Sequence, residues 1–276
     1  MTMHGQNYRL AVTTQGPLYP PAEVMDADGN FIVIGQIIRE TETTWGAAIV
    51  SSKSPLPSYG QVLPYTIVKE LGDAAEQSLE KIVLHTLPLP LPSNNYPMLF
   101  APEQCPEAST VVREQLPLHE GYIADYRKSD GRRKLPAITL AGWLRASGEL
   151  AVTLSDDKKS AIFNFTFTKL VPHSIYTVMS LREKDLAVND PSRPGPLGIP
   201  NVFVTDTNGN AEYWAELPDP FPPKSEYSNR IINVVVLFMS SQQSYGGAIG
   251  LHGLGGDIHA HLKLKVSGFG EFTTVA

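Results

Sequence analysis

Disulfides, long apolar runs and a basic surface are all missing from this chain of 276 residues. The single cysteine, Cys105, excludes an internal disulfide and any thiolate cluster around zinc. No apolar run approaches the roughly 18 residues of a helical membrane span, so no membrane span is expected. Lys and Arg total 22 against 28 Asp and Glu, for a net charge of −6. A general nucleic-acid binder needs the opposite balance, and no nucleic-acid partner is expected. The opening Met1-Thr-Met-His-Gly-Gln-Asn-Tyr8 has neither the basic start nor the apolar stretch of a secretory signal. The two expectations are therefore a cytoplasmic protein or a trimmed secreted chain.

What is present is apolar and heavily punctuated. Hydrophobic residues make up 42% of the chain, enough for a large core without covalent staples, while 23 Pro and 22 Gly cut it into short pieces. Residues 30–39 are rich in β-branched side chains and follow the turn cluster Asp26-Ala-Asp-Gly29. Further strands are expected at 43–50 and 61–68. Residues 72–83 form the best helix candidate, with Ala75, Leu79 and Ile82 on one face and Asp73 as a cap. Leu87-Pro-Leu-Pro-Leu-Pro92 should run extended or along a sheet edge, and a short second helix is expected at 109–115.

Residues 126–134 are polar and turn-rich, a plausible linker. The β signal is cleaner beyond it. In Ser160-Ala-Ile-Phe-Asn-Phe-Thr-Phe-Thr168 three phenylalanines alternate with polar or smaller residues, the pattern of a core wall. With 149–154, 175–181, 202–206, 211–216, 230–239 and 259–266, about seven short strands joined by turns predict a sandwich or barrel. The expected fold is all-β: an antiparallel β-sandwich at 136–276, and a β-rich N-terminal domain or elaboration at 1–135 with one or two short helices. Val24-Met-Asp-Ala-Asp-Gly-Asn30 and Val204-Thr-Asp-Thr-Asn-Gly-Asn210 echo one another. A hairpin turn with positive φ explains both, with a calcium loop as the sharper alternative.

The phrases Gly142-Trp-Leu-Arg-Ala-Ser-Gly-Glu-Leu-Ala-Val-Thr153, Asn201-Val-Phe-Val-Thr-Asp-Thr-Asn-Gly-Asn-Ala211 and Gly256-Asp-Ile-His-Ala-His-Leu262 come in a familiar order. Residues 138–266 resemble a loose group of bacterial β-sandwich proteins of unassigned role. That group is distantly similar to the copper/zinc superoxide dismutase and chordin-type sandwiches. The resemblance implies a sandwich and not dismutase activity, because the dismutases draw copper ligands from an early His-x-His strand that this chain lacks.

Three of the seven histidines fall within ten residues, in His252-Gly-Leu-Gly-Gly-Asp257-Ile-His259-Ala-His261. On a strand, His259 and His261 point to one face at chelating distance. The glycine loop can return His252 to them, and Asp257 can serve as a fourth ligand or orient an imidazole. Such donors suit a divalent transition metal: zinc, iron, nickel or copper. The alternative is a polar rim at the end of the sandwich. Gln242, Gln243 and Tyr245 are candidates to line a small-molecule pocket beside the histidines. Trp45, Trp143 and Trp214 could form a sugar-binding platform, with ordinary core or rim places as the alternative. No Gly-x-Ser-x-Gly nucleophile elbow is present. The expected function is a non-catalytic protein binding a small molecule or metal. A metal-dependent enzyme and a structural or surface-assembly protein are the alternatives, and short exposed sheet edges make a homo-oligomer plausible.

Overall fold

The computed structural model describes residues 5–17, 21–58, 61–89, 112–121, 135–189, 191–192, 194–244 and 257–272. Twelve strands carry the fold: β1 (Gly5–Val12), β2 (Phe31–Ile38), β3 (Thr43–Val50), β4 (Ile67–Glu70), β5 (Ser147–Leu154), β6 (Ser160–Thr168), β7 (Ile175–Arg182), β8 (Gly195–Pro196), β9 (Val202–Val204), β10 (Ala211–Pro218), β11 (Ile231–Met239) and β12 (Ile258–Lys263). Two single-turn helices join them, α1 (Glu76–Leu79) and α2 (Leu140–Leu144). Every strand pairing is antiparallel, so the chain is all-β as expected.

Nine strands make one sheet in the order β10-β6-β5-β1-β12-β11-β7-β8, with β9 also on β7, and β2-β3-β4 make a second. The large sheet curls around its own core. Phe163, Phe165 and Phe167 point into that core while Ile162, Asn164 and Thr166 face outward, which is the alternation read from the sequence. Tyr213 on β10 reaches across to the carbonyls of Leu197 and Pro200 beyond β8, which draws the two ends of the sheet together.

The small sheet covers the outer face of the large one. Phe31, Val33, Ile37, Ala48 and Val50 meet Met179, Val235, Leu237, Met239, Ile258 and Ala260 in a separate core. Strand β11 is therefore covered on both faces, and all nine of its residues are buried. That is why its sequence is an almost unbroken apolar run instead of an alternating one.

The echoed segments are matching turns: the first closes a hairpin bridged by Met25 and Phe31, and the second joins β9 to β10, which do not pair with each other. Asp26 Oδ1 accepts from the Asp28 and Asn30 amides, and Asp206 Oδ1 accepts from those of Asn208 and Asn210. Gly29 and Gly209 take φ of +79° and +76°. Backbone N–H groups thus hold the aspartates, and both segments are turns with a glycine at positive φ, although only the first is a hairpin.

Three expectations need correction. The helix expected at 72–83 is only the turn α1, too short to be stable alone and held by Leu79 and Ile82 against the core. The strand expected at 61–68 starts at Ile67, beyond Pro64, which cannot donate to a ladder. Residues 112–115 of the second expected helix are not helical, and Arg113 instead bridges to Leu89. Residues 109–111 and the linker at 126–134 lie outside the described residues. Strand β1 was not anticipated at all. It sits in the middle of the large sheet, paired with β5 on one side and β12 on the other.

Candidate functional site

Strand β12 carries the histidines and sets the geometry of everything near them. Its pairing with β11 runs Phe238 to His259 and Leu237 to Ala260, then shifts so that Val236 meets Leu262 and Val235 meets Lys263. His261 is the extra residue of a β-bulge. Before the bulge, His259 faces the large core and Ala260 the small one. After it, Leu262 faces the large core, so Lys263 turns toward the small sheet. Strict alternation would have driven Lys263 into the large core.

Both histidines are buried, and every ring nitrogen has a partner. His259 Nδ1–H donates to the Glu23 carbonyl (2.6 Å), and Nε2 accepts from the Ser240 hydroxyl (2.8 Å). His261 Nε2–H donates to the Trp143 carbonyl (3.0 Å), while Nδ1 accepts from the Tyr176 hydroxyl (3.0 Å). The Tyr176 oxygen accepts in turn from the Val171 amide (3.0 Å). His261 also stacks on Trp143, with ring centres 3.6 Å apart. Burial disfavours the charged imidazole, bringing His259 down to about 4 and His261 to about 3.

Asp257 closes an ion pair with Arg113 at 2.7 Å. His252 and Tyr245 lie outside the described residues. Among the described residues no three His, Cys, Asp or Glu side chains gather closely enough to hold a metal ion. An ion on His259 or His261 would have to displace Ser240 or Tyr176 from its lone pair. Gln242 is occupied as well: its amide donates to the Met239 carbonyl (2.8 Å) and accepts from the Ile175 amide (3.0 Å). Gln243 is exposed.

Glu23 and Lys263 extend this buried polar region toward the surface. Glu23 Oε2 accepts from the Ala260 amide (2.5 Å), and Lys263 Nζ donates to the Gln15 carbonyl (3.0 Å). Burial raises the Glu23 carboxyl to about 7 and lowers the Lys263 ammonium to about 8, although each favours the charge of the other.

The three tryptophans do not share a platform. Trp143 is fully buried. Trp45 on β3 lies at the rim of the small sheet with two ammonium groups near its ring, Lys263 Nζ at 5.9 Å and Lys265 Nζ at 5.5 Å. It lines an open groove of about 800 Å³ together with Asn7, Arg9, Ser147, Lys265 and the apolar Leu144 and Val266. Trp214, by contrast, stands 66% exposed on β10, beside a second groove of about 450 Å³.

The Trp45 groove was missed because its parts are far apart in sequence. Asn7 and Arg9 come from β1, Trp45 from β3, and Lys265 from the segment after β12. One local signal existed: His259, His261, Lys263 and Lys265 continue a single alternation. The bulge splits it into a buried imidazole pair and a lysine pair near Trp45. Comparison with protein families, curated proteins and solved structures finds no match to this chain.

Proposed function

We propose that this is a non-catalytic binding protein that takes a small anionic molecule with a flat apolar face in the Trp45 groove. The observation that carries this reading is the meeting of one aromatic wall with Arg9 and Lys265 in a groove of about 800 Å³. That size suits a small molecule, and a few polar groups on an apolar lining are what fix a ligand's orientation. In a chain of net charge −6, two cations on one concave surface also raise the local concentration of an anion. The reading asks for no base. An imidazole held near 4 or 3 has little capacity to take a proton at neutral pH, which disfavours His259 and His261 as the engine of an enzyme. Metal binding enters this reading only through His252, outside the described residues.

The test is calorimetric titration with naphthalene-1-sulfonate and its uncharged analogue naphthalene-1-methanol. The sulfonate should bind more tightly, weaken with added salt, and lose about tenfold in affinity in Lys265→Glu, the equivalent of about 1.4 kcal/mol. Equal affinity for the two probes, or indifference to Lys265→Glu, would sink the proposal.

A further inference from the structure

A second surface has the opposite electrostatic character. Strand β10 ends the large sheet, and among the described residues it pairs with β6 alone. Opposite its free side, the chain from Gly198 to Phe203 approaches without pairing, and the space between them is the groove of about 450 Å³. This is the seam where the curled sheet fails to close into a barrel. Along β10, Glu212, Trp214 and Glu216 share the outward face, while Tyr213, Ala215 and Leu217 point into the core. Trp214 is 66% exposed, and Ile199 across the groove is 80% exposed. Apolar surface concentrated on one seam marks a contact site more often than chance.

Charge decides what can sit there. Glu212 and Glu216 flank the indole at two residues on either side, and neither has an ion-pair partner among the described residues. Ser160 donates one hydrogen bond to Glu216 (2.8 Å) and leaves its charge intact. The outward neighbours across the ladder, Asn164, Ile162 and Thr166, are uncharged. A second copy pairing antiparallel through β10 about Trp214 would set Glu212 of each chain against Glu216 of the other, and like charges in register oppose that contact. An extended basic segment meets no such obstacle. Alternate residues of a strand recur about every 7 Å, the spacing of Glu212, Trp214 and Glu216 themselves. Lys or Arg at such positions would reach both carboxylates, and the residue between them would rest on the indole.

We infer that the β10 seam is a docking surface for an extended basic peptide segment, held by Glu212 and Glu216 and stacked on Trp214. The site is independent of the Trp45 groove, which lies on other strands. The experiment is titration of the full chain with a capped Lys-Val-Lys-Val-Lys-Val hexapeptide, with Glu-Val-Glu-Val-Glu-Val and cellohexaose as controls. The basic peptide should bind, weaken as salt rises, and lose at least about tenfold in affinity in both Trp214→Ala and Glu212→Gln/Glu216→Gln. All three side chains are exposed, so the variants should keep the wild-type far-ultraviolet circular dichroism and urea midpoint. Lys265→Glu should leave this binding intact, which separates the surface from the anion groove. Unchanged affinity in the two seam variants would reduce the interaction to general attraction by an acidic protein and overturn the inference. Preference for cellohexaose, or a wild-type dimer dispersed by Trp214→Ala, would overturn it equally by giving the surface to a sugar or a second copy.

Discussion

The histidine strand and the tryptophan surfaces invert what their residue types suggest. His259 and His261 carry the groups that do chemistry in other proteins, yet here they are closed on all sides, each nitrogen answered by a carbonyl or a hydroxyl. Trp45 and Trp214 belong to the type most often buried for its bulk, yet they stand at the edges of open grooves. The difference comes from what covers them. The histidines point into the core that the large sheet curls around, against Trp143, Tyr176 and Phe238, whereas the outward side chains of β10 stand exposed. Where a sheet is covered, polar groups survive only when fully paired. Where it is bare, even an indole is available. Reactive side chains are therefore a poor guide to this molecule's working surfaces, and coverage is a better one.

The largest effects should come from opening the closed side. His261→Phe keeps a ring to stack on Trp143 but removes the partner of the Trp143 carbonyl and of the Tyr176 hydroxyl proton. Leaving two buried polar groups unanswered should cost about 2–4 kcal/mol in urea unfolding. A cost under about 0.5 kcal/mol would mean that the strand is less sealed than its hydrogen bonds imply, and the contrast with the tryptophans would fail.

Acid should find the same weakness more gradually. Unfolded, the two imidazoles titrate near 6.5; folded, burial holds them near 4 and 3. Their stabilising contribution is complete above pH 6.5 and is lost as pH falls through 4 and 3. Glu23 runs the other way. Its carboxyl is raised from 4.5 to about 7, so its contribution is complete below 4.5 and lost as pH rises through 7. Around pH 5.5, unfolding therefore takes up about two protons at the histidines and releases about one at Glu23. Stability should fall by about 1.4 kcal/mol per pH unit on acidification. Glu23→Gln removes the opposing contribution and should roughly double that slope. Urea midpoints measured from pH 7 to pH 5 check both statements, and a flat profile would contradict the burial of these histidines.

Much of this architecture was legible from alternation. The Phe163, Phe165 and Phe167 wall and the two aspartate-held glycine turns follow from side-chain period and turn chemistry alone. Strand β1 was not legible, because only Leu10 among its eight residues is fully buried and its polar outer face resembles a loop. The His259 and His261 pair was found as a cluster but not as a closed one. Tyr176 reaches it from β7, Ser240 from the turn after β11 and Glu23 from the chain before β2, and no spacing in the sequence announces them. The Trp45 groove needed the bulge at His261, a single-residue shift in register that reverses every later side chain on the strand.

The smallest expected effect is the most discriminating one. Lys265 is exposed, with its ammonium 5.5 Å from the centre of the Trp45 ring. An exposed cation over an indole contributes at most about 0.5–1 kcal/mol, and substitutions at such positions usually change stability by less than about 0.5 kcal/mol. Lys265→Ala should therefore unfold at nearly the wild-type urea concentration. If it also loses affinity for the sulfonate probe, binding and stability have been separated at one side chain, as an open site requires and a sealed one forbids. If it unfolds more than about 1 kcal/mol early, the Trp45 rim is itself part of the seal between the two sheets. The groove would then belong with the histidines on the structural side of the comparison.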